Sequence, residues 1–161
     1  MFTIKAGYSS DIELKTSIDK ARDFFRDITN YADMMPGIVQ VYTDANGVAH
    51  WKVETQIPVV GKIFEKFSIQ LSENNAERIE WAPLPAESHN FLRYSADFLE
   101  RAKDVTLVHF SQAVELRRKS ARDLHYLAGL AGETLISSEL TRQVTEMIKT
   151  FIAKAKVRLE R

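Results

Sequence analysis

The opening segment alternates. Ile4, Ala6, Tyr8, Ile12 and Leu14 share one parity, while Lys5, Ser9, Asp11, Glu13 and Lys15 take the other, which predicts a long strand with one face in water. The period then changes, and Ile18, Ala21, Phe24, Phe25, Ile28, Tyr31, Ala32 and Met35 recur at helical spacing. Ser17 is placed to cap that helix and Asp19 to sit in its first turn. The helix is expected to run on to Met35, where Pro36 and Gly37 stop it, because proline disfavours helical geometry in the residue before it.

Beyond the stop, "IVQVYT" and "VAHWKVETQI" flank "DANG", in which Asn46-Gly47 signals a hairpin because both residues tolerate positive φ. "GKIFEKFSIQLSE", "ERIEWAPL", "NFLRYSADFLER" and "VTLVHFSQAVELRRK" continue the alternation, giving about seven strands in all. "SARDLHYLAGLAG" fits either a short helix or a loop. From about Gly132 the helical period returns, with Ile136, Leu140, Val144, Met147, Ile148, Phe151, Ala155 and Leu159 forming an apolar stripe opposite a polar face that carries Glu139, Arg142, Glu146 and Lys149. The expected class is α+β: a curved antiparallel sheet wrapped around the long C-terminal helix, with a helix after the first strand. The sheet has one apolar face, and only that last helix is long enough to cover it.

Composition changes this picture little. The chain has 161 residues, 45% hydrophobic and 27% charged, and a chain of this size buries about 70% of its unfolded surface, so a single domain over residues 1–161 is expected. Lys plus Arg and Asp plus Glu both number 22, which gives no reason to expect nucleic acid as a partner. There is no cysteine, so disulfides, thiol nucleophiles and thiolate metal sites are excluded. The first residues lack a basic flank followed by an apolar core, and no apolar run reaches the roughly 20 residues of a bilayer span. A cytoplasmic location is the resulting expectation.

The layout, and above all "SIDKARDFFRDITNYADMMPGIVQVY" followed by "VGKIFEKFSIQLSENNAERIEWAP", resembles the START-like superfamily, also called SRPBCC or the Bet v 1-like helix-grip fold. Polyketide cyclase/dehydrase-type and CoxG-like proteins belong to it. The resemblance implies a cavity between sheet and helix for a small hydrophobic molecule such as a lipid, quinone or polyketide. It implies no universal catalytic motif. Alternatives that it leaves open are a cyclase, dehydratase or aromatase acting on a polyketide-like substrate, and an assembly or membrane-targeting module.

Candidate chemistry is sparse. His50, His89, His109 and His125 form no compact ligand set, and GxSxG, Walker and GxGxxG patterns are missing, so neither a metal nor a cofactor is expected. Polar groups on inward parities remain. Glu65 shares a face with Ile63, Phe67, Ile69 and Leu71; in a cavity it would be a candidate acid or base, and near a strand end it would reach solvent. Tyr94, on the parity of Leu92, Ala96 and Phe98, offers a hydroxyl to a ligand carbonyl or enolate, or is simply a core aromatic. Gln112 is the polar member of a face with Val108, Phe110, Val114 and Leu116, leaving His109 outside.

The walls of such a cavity would be Trp51, Val53 and Thr55, with Trp81, Phe67, Ile69 and Phe110 on neighbouring strands and Leu140, Val144, Met147 and Phe151 on the helix. Met34 and Met35, at the helix stop, either fill irregular space or line a mouth with adaptable thioethers. "IPVVGKI" and "WAPLPAE" put apolar residues in turns, and Arg117, Arg118, Lys119 and Arg122 form a basic run, so a transient membrane or protein contact is a further expectation, on a monomer or homodimer.

Overall fold

The N-terminal alternation becomes β1 (Phe2–Leu14) in the computed structural model, which describes residues 1–161, and the buried side chains of β1 fall on the expected parity. It is followed by β2 (Ile38–Thr43), β3 (Ala49–Ile57), β4 (Gly61–Asn74), β5 (Arg78–Pro83), β6 (Asn90–Ala102) and β7 (Val105–Arg118). These make one curved antiparallel sheet in the order β1-β7-β6-β5-β4-β3-β2. α4 (Glu133–Leu159) lies along its concave face as the helix-grip layout expects, burying Ile136, Leu140, Ile148, Phe151, Ala155 and Leu159.

The first helix departs from expectation. It divides into α1 (Ile18–Arg26), capped by the Ser17 hydroxyl, and α2 (Thr29–Met34). Between them Asp27 adopts extended geometry at φ −82°, ψ 107°, and its Oδ1 accepts from the Thr29 amide at 3.0 Å and the Thr29 hydroxyl at 2.7 Å. A short carboxylate that bonds the backbone two residues on competes with the helix. The break turns α2 so that Tyr31 and Met34 are buried.

The β2–β3 hairpin forms where Asn46-Gly47 signals it. Of the two residues only Gly47 has positive φ, at 81°. Asp44 holds the loop by accepting from the amides of Asn46 and Val48. "SARDLHYLAGLAG" resolves into a 3₁₀ turn at Ala121–Asp123 and α3 (Ala128–Ala131).

Gly37, which follows the proline stop, has φ +88°, and a Cβ there would lie 2.9 Å from both the Glu54 carbonyl and the Met147 Cε. The glycine therefore lets the chain pass close between β3 and α4. At the β3–β4 turn the opposite choice is made. Val60 N–H donates to the Ile57 carbonyl at 3.2 Å, and Val59, between them, has φ 74° although it is β-branched and 73% exposed. A non-glycine residue held there costs on the order of 1 kcal/mol or more. Val59→Gly is expected to raise stability by about 1 kcal/mol, read as a higher urea midpoint at unchanged slope.

Candidate functional site

The concave side has two unlike halves. Under α1, α2 and the C-terminal part of α4 it is solid: Tyr31 lies 4.4 Å from Phe151 and 4.5 Å from Tyr94 between ring centroids, and Phe25 lies 5.6 Å from Phe110. Under the N-terminal part of α4 it is hollow, with a partly open cavity of about 50 Å³. Leu140, Val144 and Met147 of α4 form its roof, and Met35 and Ile38 close one side. Trp51, Val53, Thr55, Glu65, Phe67 and Gln112 belong to its floor.

Ten of the candidate residues therefore share this wall: Met35, Trp51, Val53, Thr55, Glu65, Phe67, Gln112, Leu140, Val144 and Met147. Six do not. Tyr94, Phe110 and Phe151 are filled in by the aromatic cluster, Ile69 is fully buried, Trp81 packs toward Tyr94 at 6.3 Å, and Met34 turns instead toward Ala153 and Val157 on the outside of α4. The reason is common to most of them. Residues of the correct parity that lie below α1 and α2 meet aromatic side chains from those helices before they can border a void.

Polar atoms collect where the two halves meet. The Gln112 side chain is 4% exposed, and its Oε1 has no hydrogen-bond partner. Tyr94 pairs with Gln112 across β6 and β7, and Trp81 pairs with Tyr94 across β5 and β6. Trp81 Nε1 and Trp51 Nε1 are likewise buried without partners, whereas the Tyr94 hydroxyl is directed at that of Tyr31. Unmatched buried polar atoms cost on the order of 1–3 kcal/mol each, so Gln112 Oε1 and the two indole N–H groups mark a place where the core is not optimised for itself. Burial pushes the phenol pKa of both Tyr94 and Tyr31 well above the usual tyrosine range, which keeps both as neutral hydroxyls. Tyr31 donates to the Phe25 carbonyl at 3.2 Å.

A second polar group closes the other end. β5 pairs with β6 only from Arg78 to Trp81 and ends against β4 at Pro83 and Ile69, so a notch separates the first halves of β4 and β6. Asn90 bridges it, donating to the Lys66 carbonyl at 2.8 Å and to Glu65 Oε2 at 2.9 Å. Arg118 comes in from the end of β7 and donates to Glu65 Oε2 at 2.8 Å and to Asn90 Oδ1 at 2.7 Å. The Glu65 and Arg118 side chains are 15% and 13% exposed. Glu65 thus does not reach solvent freely, and Arg118 leaves the basic run expected on the surface. In that run Arg117 instead pairs with Glu115 and lies over the Phe91 ring. His109 stays outside, 2.6 Å from Asp11.

No helix is long and apolar enough to cross a membrane, and no cluster of His, Asp and Glu side chains has the arrangement of a metal site. In the turn "IPVVGKI", Ile57 and Val60 are buried and only Val59 projects among the large apolar residues.

No protein-family model and no curated protein sequence matches the chain. Solved structures do. A START superfamily protein from Mycobacterium smegmatis superimposes with a TM-score of 0.60 at 14% identity, covering 96% of this chain and 97% of that one. The Zhui aromatase/cyclase from Streptomyces sp. R1128 gives 0.58 at 12% identity, with 96% and 95% covered. The di-domain ARO/CYC BexL from the BE-7585A biosynthetic pathway gives 0.61 at 12% identity, and this chain spans 51% of its length. At such identities the likeness establishes architecture alone. Seven strands in this order, gripping one long C-terminal helix with a helix after the first strand, give the chain the START-like helix-grip fold.

Proposed function

We propose that the protein binds a small hydrophobic molecule, a lipid, quinone or polyketide-like compound, between the sheet and the N-terminal part of α4. The observation that carries this reading is the unpartnered Gln112 Oε1 on the wall of a mostly apolar cavity. An apolar wall supplies affinity, and an isolated polar group supplies orientation. The Trp51 indole N–H, likewise unpartnered and on a residue of that wall, suits a ligand that carries a carbonyl oxygen.

The cavity of about 50 Å³ is far below the roughly 300 Å³ of the smaller ligand sites. Uptake therefore requires the roof to move. α4 begins at Gly132 with φ +87° and no side-chain cap, while its hold on β3 includes Gln143, whose Oε1 accepts from the Gln56 amide and whose Nε2 donates to the Gln56 carbonyl. Swinging the first turns of α4 outward about Gly132 enlarges the cavity and leaves the Phe151 end in place.

The chain has no cysteine, so Gln56→Cys with Gln143→Cys can be joined by a short bifunctional thiol reagent. Trp51 fluorescence is expected to respond to a naphthoquinone or an aromatic ketone in the unlinked protein, and the response is expected to fall at least tenfold once the two residues are joined. Equal responses before and after joining, or none in either, would remove the reading.

A second reading, an aromatase/cyclase-type enzyme, is favoured by Glu65. Both hydrogen bonds to its carboxylate use Oε2, and Oε1 is free to take a proton from a molecule in the cavity. Gln112, with Tyr94 behind it, would then polarise the carbonyl. Mass spectrometry of the recovered compound separates the readings: a binder returns it unchanged, whereas an enzyme returns a cyclised or dehydrated product.

A further inference from the structure

A third polar constellation lies on the convex face, away from the cavity. In the β3–β4 ladder His50 stands opposite Ser68, and Lys52 opposite Lys66. His50 Nδ1 is 3.0 Å from Ser68 Oγ, and His50 Nε2 is 2.8 Å from Asp44 Oδ2. His50 and Ser68 border a groove of about 200 Å³ whose walls include Tyr42, Lys52 and Lys66. Tyr42 stacks on the imidazole at 5.0 Å.

The protonation pattern follows from the partners. The His50 bond, with backbone bonds from Val48 and Asn46, holds the Asp44 carboxyl below the usual carboxylate range, so Asp44 is an acceptor only. Neutral His50 must then carry its proton on Nε2, and Nδ1 presents a lone pair to the Ser68 hydroxyl. This is a nucleophile joined to a base that a carboxylate orients, the arrangement that activates serine. The two lysines add positive charge. The acids of these strands are engaged elsewhere, Glu54 with Lys62, Glu65 with Arg118 and Glu73 with Arg78, and Lys52 rests 5.0 Å over the Phe64 ring.

We propose that Ser68, His50 and Asp44 form a second, esterolytic site for carboxylic esters that carry a negative charge. Ser68 Oγ attacks the acyl carbon as its proton passes to His50 Nδ1. The resulting oxyanion lies in the groove that Lys66 borders. Collapse breaks the bond to the leaving alkoxide, which takes the proton from His50. Water, deprotonated by His50, then attacks the acyl-serine, releases the acid and restores the Ser68 hydroxyl. Ser68 and His50 are the catalytic residues. Asp44 is a positioning residue that acts through the imidazole tautomer.

The first test is labelling of the unaltered protein with a fluorophosphonate, followed by peptide mapping. One adduct per chain on Ser68 is expected, with labelling slowed about a hundredfold in His50→Gln. Mono-4-nitrophenyl succinate is expected to be hydrolysed at least tenfold faster than 4-nitrophenyl acetate, and Ser68→Ala is expected to abolish both reactions. For Asp44, long-range 1H–15N spectra are expected to show His50 protonated at Nε2, and Asp44→Asn is expected to lose that fixed tautomer. No adduct on Ser68 at millimolar probe, or an equal labelling rate in His50→Gln, would overturn the proposal. A mixed His50 tautomer in the unaltered protein would overturn the role given to Asp44.

Discussion

Replacing Arg118 with methionine is expected to lower stability by about 3 kcal/mol, near the low end of the cost of stranding one member of a buried ion pair because both side chains keep some exposure. The substitution leaves Glu65 facing the notch between β4 and β6, where Asn90 becomes its one remaining donor. Asn90 simultaneously loses the guanidinium that its own carbonyl oxygen accepts from. For a chain of this length that loss corresponds to a melting temperature lower by roughly 6–12 °C. The double variant Arg118→Met with Glu65→Gln removes the stranded charge and is expected to recover most of the difference. Equal melting temperatures for the single and double variants would show that the notch depends on the guanidinium's hydrogen bonds rather than on charge.

Phe151→Ala is expected to cost about 4 kcal/mol, from the range for truncating a buried phenyl ring. Phe151 is fully buried, stacks on Tyr31 and lies 6.1 Å from Phe24 and 5.8 Å from Phe110. Contacts on every side forbid collapse into the space left. About two helical turns earlier on the same helix, Val144→Ala is expected to cost only about 1 kcal/mol, because that side chain already borders a void and gives up fewer contacts. Urea midpoints of the two variants measure the contrast. Similar losses at both positions would mean that the two halves of the concave side are equally well packed.

The strand parities were legible from sequence because one face of each strand is wet, and this is why Gln112 could be placed inside and His109 left out, whereas for Glu65 parity left both the cavity and the solvent open. Parity also applied to Arg118, which lies on the same side of β7 as Gln112 and Leu116, but a run of three cations at a strand end reads as solvated surface. The helix break was not legible. Asp27 suits an exposed helical position as well as it suits a turn, and the choice rests on its bonds to Thr29. Nor could alternation separate Trp51, which borders the cavity, from Trp81, which packs beside Tyr94. Both face inward, and what differs is the element above them. The approach of His50 to Ser68 depends on the β3–β4 register, which a list of histidines does not reveal.

The pairing of β1 with β7 joins Phe2 to Arg118 and Leu14 to Thr106, so β1 has no partner during synthesis until β7 emerges. Until then Phe2, Ile4, Ile12 and Leu14 travel on a nascent chain whose wet and dry faces are both in water. Such a distant closure slows folding and leaves an adhesive edge open for the whole interval. The protein's window of vulnerability is thus set by translation speed, and at about 5–20 residues per second it lasts on the order of 5–20 seconds.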